Sequence, residues 1–338
     1  MADILPLSPA SPARTDGAAA LRAQFAQPLK AVDALIAQRL HSPVATIPEI
    51  GAHVIRAGGK RLRPLLTLAS AALCAPKSPP PVQLAAAVEL LHTATLLHDD
   101  VVDASDLRRG LPSARARWGN AASVLVGDFL LGQAFKLMVE SAKPAALPVL
   151  ANAAAVIAEG EVMQLLTVGK VDVNEDAYLR VISAKTAELF AAAARAGSIS
   201  ADAPPNAQDA LAAYGRNLGI AFQLSDDALD YDRHAHLGKN WGDDFREGKM
   251  TLPLILAYHR GDAKERRFWH NAIVRPRKTS ASLARAESLV LRHRALADTR
   301  ARAAHYAAIA QDALRLFPPS TGRAELMRLA DFSAARRH

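Results

Sequence analysis

A single cysteine, Cys74, stands in 338 residues, so neither an intrachain disulfide nor a multi-cysteine zinc site can form. That usage points to a reducing compartment, and the expected localisation is cytoplasmic. Long apolar runs are scarce as well. The longest stretch free of charged side chains is 144–158, fifteen residues that include Pro144 and Pro148. Spanning a bilayer takes roughly 20 apolar residues, so no membrane-crossing segment is expected. The opening MADILPLSPASPARTD lacks the basic start and apolar core of a secretory signal. Aromatic residues make up only 5% of the chain, and β-branched alternation is rare. A disulfide-rich secreted module and a collagen-like chain are both excluded.

What is present is alanine, leucine and charge. Half of the residues are hydrophobic and 22% are charged, with a net charge of +8. A chain of this length buries a core without covalent staples. The basic excess is local. Residues 260–302 hold twelve Lys or Arg against four acids, which matches the whole-chain excess. A nucleic-acid partner would call for a recognition helix, zinc fingers or interleaved aromatics; none is visible, and no nucleic acid is expected. Two readings remain: a solvated basic helical face, or a face drawn to anionic lipid headgroups.

Residues 1–19, rich in Pro, Ala and Ser, read as a mobile arm, and 20–338 as one all-α domain. Glycine and proline marks divide that domain into helices near 62–74, 82–104, 120–142, 145–168, 174–197, 206–232 and 249–259.

The chemistry lies in two aspartate clusters. His98-Asp99-Asp100-Val101-Val102-Asp103 and Ser225-Asp226-Asp227-Ala228-Leu229-Asp230 both spell Asp-Asp-x-x-Asp inside apolar helices. At 3.6 residues per turn the first and last aspartates share a face, where like charges repel. Hard divalent cations relieve that repulsion, and Mg²⁺ in particular completes its shell with water and substrate phosphates. Basic residues surround the clusters in sequence: Gly58-Gly59-Lys60-Arg61-Leu62-Arg63-Pro64, Arg108-Arg109-Gly110, Lys239 and Lys249. Such cations suit diphosphate oxygens, Arg through its planar fork. The pattern suggests two diphosphate sites, one bridged by metal and one held by cations alone.

These motifs resemble the trans-isoprenyl diphosphate synthases, the polyprenyl synthetase family, and within it the long-chain octaprenyl and decaprenyl type. The resemblance runs from about residue 25 to the C-terminus. It is carried by GGKRLRP (58–64), ELLHTATLLHDDVVD (89–103), RRG (108–110), SVLVGDFLLGQAF (123–135), EGEVMQL (159–165), AKT (184–186), FQLSDDALDY (222–231) and LGKNWGDDFREGKMTLPLI (237–255). It implies a single bundle of antiparallel helices around a deep central cavity, normally a homodimer. It implies about three Mg²⁺ per active site with substrate bound, held by Asp99 and Asp103 on one wall and Asp226 and Asp230 on the other. Asp100, Asp227 and Lys185 join the catalytic set. Arg108 touches the allylic diphosphate; Lys60, Arg63, His92 and Arg109 bind isopentenyl diphosphate without metal; Lys185, Thr186, Gln223, Lys239 and Lys249 line the allylic site. On composition alone His92 is a core histidine, and only the resemblance makes it a ligand.

The implied reaction adds five-carbon units to an allylic diphosphate, farnesyl or geranyl, to reach about C40–C50 for a quinone side chain. Short-chain relatives close the cavity with an aromatic ring five positions before the first aspartate. Ala94 stands there, beside Thr95, with Phe135 and Met138 as the expected floor. Product release implies a peripheral contact with membrane. Three alternatives compete with this reading: a short-chain (C15–C20) synthase, a class I terpene cyclase, and a non-catalytic partner subunit. A cyclase usually replaces the second Asp-Asp-x-x-Asp, and a supporting subunit tends to lose aspartates; this chain keeps all six. Ala104 and Leu111 depart from the family pattern, which carries Glu and Lys there.

Overall fold

The computed structural model describes residues 17–56, 58–108, 110–232, 242–275 and 278–336. Among them sixteen α-helices follow one another: α1 (Gly17–Gln24), α2 (Ala26–Arg39), α3 (Thr46–Arg56), α4 (Leu62–Cys74), α5 (Val82–Val102), α6 (Ala114–Glu140), α7 (Ala146–Thr167), α8 (Glu175–Ile182), α9 (Glu188–Ser200), α10 (Pro205–Asp230), α11 (Asp243–Glu247), α12 (Leu252–Arg260), α13 (Ala263–Val274), α14 (Ser280–Arg292), α15 (Ala295–Ala313) and α16 (Thr321–Ala334). The expected all-α class and the helices marked out by glycine and proline are both found.

Three local features escape the sequence pattern. Residues 17–19, assigned to the arm, already belong to α1, because Ala18 and Leu21 are covered against the core at 0% and 1% exposure. The helix expected over 174–197 is two helices joined by a π-helical turn, Ser183–Ala187. A two-residue ribbon pairs Leu107–Arg108 (β1) with Leu111–Pro112 (β2), antiparallel, with Gly110 at φ 79°.

The helix starts have chemical causes. Ser113, Asn174, Thr279 and Ser320 each accept a backbone N–H from the first turn that follows them. Asp262 and Glu265 form a reciprocal capping box at α13.

Two apolar clusters hold the bundle. The larger joins α1–α7, α9, α10, α15 and α16, and the smaller joins α8 and α10–α15. Helix α10, which carries the second aspartates, belongs to both. Helices α6 and α7 are long and apolar enough by length and composition to cross a bilayer, a point that counting uncharged runs misses. Each nonetheless buries one face in the bundle, through Leu130, Ala134 and Leu137 on α6 and Leu150, Ala153 and Ile157 on α7.

Candidate active site

The first cluster sits at the C-terminal end of α5, where its carboxylates meet cations from other helices. Lys185 comes from the π-turn. Its Nζ donates to Glu161 Oε2 and Gln164 Oε1, both at 2.7 Å, and lies 4.0 Å from Asp99 Oδ2. Two glycines bring the flanking helices close to this turn. A Cβ on Gly160 of α7 would stand 2.6 Å from the Lys185 backbone nitrogen, and one on Gly219 of α10 would stand 2.6 Å from Ala187 Cα. π-turns of this kind recur at functional sites, where they re-aim a side chain out of helical register.

Burial, opposed by Lys185 and aided by Glu161 and Asp103, pushes the Asp99 carboxyl up to about 7. Asp103 Oδ2 accepts from Lys249 Nζ at 3.0 Å, and Glu247 shares the same ammonium at 2.7 Å. Burial alone would lower Lys249, but Asp103 and Glu247 outweigh it and hold the ammonium above its ordinary value. Asp100 does not join this group. It is 1% exposed and takes Arg108 through Nε (2.8 Å) and a second nitrogen (2.7 Å). Arg108, expected on the allylic diphosphate, is therefore engaged by a buried carboxylate. Leu111, where the family pattern has Lys, is exposed on the ribbon beside it.

The second cluster has the same spelling and other partners. Asp227 is buried; it accepts from Tyr178 Oη at 2.5 Å and from Gln223 Nε2 at 2.7 Å, while Thr186 Oγ1 donates to Gln223 Oε1 at 2.9 Å. Burial, with Asp244 nearby, pushes the Asp227 carboxyl up to about 8, against the pull of its two hydrogen bonds. Asp100 and Asp227, both expected in the catalytic set, are the buried members of their clusters, bonded to Arg108 and to Tyr178 and Gln223. Asp230 accepts backbone N–H groups of Asp243 and Asp244, each at 3.2 Å, and so caps α11. Asp226 is more open than Asp227, with 37% side-chain exposure, and faces Arg336 at 3.7 Å.

The turn before α4 supplies the remaining cations. Arg61, at φ 46°, anchors it to Glu89 (2.6 Å) and Asp33 (3.3 Å). Arg63 reaches His92 Nε2 at 3.1 Å and lies 4.5 Å over the Phe190 ring, and Lys60 lies 5.4 Å over Phe332. Arg63 and His92, both expected on isopentenyl diphosphate, stand side by side. Arg109 and Lys239 lie outside the described residues. His98 is held at the edge of the site, 3.3 Å from Asp128, and its ring occupies the space a Cβ on Gly127 would need.

The expected chain-length residues fall within the apolar interior. Ala94 is 2% exposed and Met138 1%; Phe135 is half-buried, and Thr95 donates to the His92 carbonyl at 2.8 Å. A depression of about 550 Å³ lies elsewhere, behind the π-turn, lined by Val156, Met163, Leu179, Arg180 and Arg216. The basic run at 260–302 is partly neutralised by acids: Arg260 pairs with Asp298, Arg292 and His293 with Glu265, Arg300 with Asp232, and Arg302 with Glu175.

Sequence reasoning missed Glu161, Gln164, Tyr178 and Arg336. The first two lie in the EGEVMQL motif and could have been suspected. Tyr178 and Arg336 carry no local signal, because their partners are 49 and 110 positions away.

Residues 44–290 match the family model described as polyprenyl synthetase. The chain is 47% identical over 249 residues to the octaprenyl diphosphate synthase of Escherichia coli (strain K12), covering 73% of this chain and 77% of the relative. Its fold superposes on a polyprenyl synthase from Caulobacter crescentus CB15, solved with calcium and isoprenyl diphosphate, at TM-score 0.92 and 50% identity over 97% of this chain and 100% of that one. A decaprenyl diphosphate synthase from Rhodobacter capsulatus superposes at TM-score 0.90 and 47% identity, over 95% and 99%.

Proposed function

Because this chain belongs to the polyprenyl synthetase family, we propose that it is a long-chain trans-polyprenyl diphosphate synthase, condensing isopentenyl diphosphate repeatedly onto an allylic diphosphate. The observation that carries this reading is the meeting of Asp99 and Asp103 with Lys185 and Lys249 across separate helices. Two sites of different character follow: carboxylates with lysines for the allylic diphosphate, and Lys60, Arg63, His92 and Arg109 for isopentenyl diphosphate.

The donor set suits Mg²⁺. Asp99, Asp103 and Asp226 offer hard oxygens, and burial of Asp99 among other acids leaves negative charge that a cation would relieve. Among the described residues no three His, Cys, Asp or Glu side chains form a ready cage, which suits an ion that takes its other ligands from phosphate and water. We assign Asp99 and Asp103 to one wall, Asp226 and Asp230 to the other, and about three ions to the loaded site. When bound, the metal would neutralise charge developing on the departing diphosphate.

Lys185 and Lys249 hold the allylic diphosphate, with Thr186, Gln223 and Lys239 lining its pocket and Arg108 exchanging Asp100 for phosphate oxygens. Preorganised ammonium groups stabilise the leaving group without reorganising at the moment of reaction. Lys60 and Arg63 hold isopentenyl diphosphate so that its double bond faces the allylic carbon. Attack forms the new carbon–carbon bond, and the released diphosphate takes the proton, so no protein base is required.

The prenyl tail follows α5 past Thr95 and Ala94 towards Phe135 and Met138, to about C40–C50, with a quinone side chain as the product's use in the cytoplasm. An apolar product of that length leaves through peripheral contact with membrane. Leu125 and Val139 on α6 and Val162, Leu165 and Leu166 on α7 are large apolar side chains left exposed, and a homodimer would give them cover. The direct test incubates purified protein with labelled isopentenyl diphosphate, farnesyl diphosphate and Mg²⁺ and separates the dephosphorylated products. Products of C15–C20 would favour the short-chain reading, and no product would overturn the assignment. Ala94→Phe should shorten the product to about C15–C20 with condensation retained; unchanged length in an active variant would exclude this path.

A further inference from the structure

The ribbon that follows the first aspartate cluster carries apolar surface that the reaction does not use. Gly110 turns it, Leu107 pairs with Pro112, and Arg108 pairs with Leu111. Cross-strand partners share a face and successive residues alternate, so Leu107 and Leu111 stand on opposite faces. Both are open to solvent, Leu107 at 64% and Leu111 at 44% exposure. The ribbon is nonetheless firmly held. Arg108 is bound to Asp100, Ser113 Oγ donates to the Ser105 carbonyl at 2.6 Å, and Arg115 donates to the Ala104 carbonyl at 2.9 Å. Two large apolar side chains are thus presented on a braced support.

An aromatic and cationic rim adjoins them. His53 Nε2 of α3 meets the Pro112 carbonyl at 2.8 Å, and its ring lies edge-on to Trp118 of α6 at 5.0 Å. Trp118 is half-buried, with the Arg117 guanidinium 4.5 Å over its ring. Arg56, one turn beyond His53, donates to the Ala52 carbonyl of its own helix. Arg56 and Arg117 are exposed, and neither pairs with an acid among the described residues. Asp106, next to Leu107 in the chain, is taken by Arg115 at 2.7 Å. A ribbon that packed on another protein would turn one apolar face inward and one polar face to water. Apolar side chains on both faces suit a medium that surrounds the tip, as acyl chains do. Tryptophan favours the level of lipid headgroups, and unpaired cations favour anionic ones. The basic run at 260–302 fits less well, since several of its arginines are already paired with acids.

We propose that the 107–112 ribbon and its rim dock on a lipid bilayer bearing anionic headgroups. Leu107 and Leu111 enter the acyl boundary, Trp118 lies at headgroup level, and Arg56 and Arg117 meet lipid phosphates. The inference deepens the membrane contact proposed above and rests on that reading for its purpose. Because the ribbon begins four residues after Asp103, docking holds the first aspartate cluster beside the surface that receives an apolar product.

The test is flotation of the full-length protein with vesicles of phosphatidylcholine, alone or mixed with phosphatidylglycerol. Wild type should float with the mixed vesicles, and about 0.5 M salt should weaken that binding. Leu107→Ser/Leu111→Ser should lower the partition coefficient at least about tenfold. Arg56→Glu/Arg117→Glu should lower it about fivefold in low salt and far less in high salt. Lys264→Glu/Arg267→Glu, which reverses exposed charge on α13, should stay within about twofold. If the leucine pair unfolds on substitution, the arginine pair carries the test. Wild type that ignores both kinds of vesicle would overturn the proposal, as would a folded leucine variant that floats like wild type. A loss confined to the α13 variant would move the contact to the basic run and overturn it too. If the wild type fails to condense isopentenyl and farnesyl diphosphates, the proposed function falls, and flotation still judges the ribbon.

Discussion

The two aspartate clusters share one spelling and meet different partners. Around Asp99 and Asp103 the partners are ammonium groups from distant helices, and around Asp227 and Asp230 they are a phenol, an amide and backbone N–H groups. The first arrangement concentrates charge that a substrate can redistribute. In the second, Asp227 ties α8 to α10, and Asp230, assigned above to metal, also meets the start of α11. A shared motif therefore fixes where carboxylates sit on a helix but not what each one does. In both clusters the middle aspartate, Asp100 or Asp227, is the buried one.

The sharpest way to break this comparison is to remove the working carboxylates. Asp99→Ala or Asp103→Ala should cut turnover by at least about 100-fold while circular dichroism keeps its helical signal. EDTA should inhibit reversibly for the same reason. Near-wild-type rates in either variant with Mg²⁺ present would dissolve the distinction.

A smaller effect separates the substrate sites. Lys60→Ala or Arg63→Ala should raise the KM for isopentenyl diphosphate by about tenfold and that for the allylic substrate far less. Initial-rate measurements with each substrate varied in turn decide this, and the reverse pattern would exchange the two sites.

Stability sharpens the contrast further. Asp227→Ala strands the Tyr178 hydroxyl and the Gln223 amide and should cost about 2–4 kcal/mol, read by urea denaturation. Asp99→Asn should do the opposite in the metal-free protein, raising the melting temperature by a few degrees, or about 1 kcal/mol, because it removes a buried charge beside Glu161 and Asp103. Losses of equal size at both positions would mean that the two clusters are braced alike.

Most of the helical order could be read before the fold was known. Apolar periodicity and proline–glycine punctuation located α4 with both ends correct, and they placed α5, α7 and α10 within a few residues. The π-turn at 183–187 was invisible, because it depends on α7 and α10 pressing against it through Gly160 and Gly219. The α1 boundary was missed because Ala18 is held by tertiary burial and not by any local pattern. Lys185 and Lys249 could be named from motifs, whereas their acidic partners Glu161 and Glu247 could not be assigned, since nothing along the chain says which acids meet which lysines.

The sequence by itself determined the residue types, their helical spacing and the family to which their order belongs. Repeating carboxylates on a 3.6-residue period and cations after glycine turns are local facts, and local geometry preserves them. Only the tertiary structure decided the partners: Asp100 with Arg108, Asp227 with Tyr178, Asp230 with the start of α11, and Arg336 with the face of Phe222. The reason is physical. A buried charge takes its character from whatever partners packing brings within a few ångströms, and those partners come from tens to more than a hundred residues away in the chain.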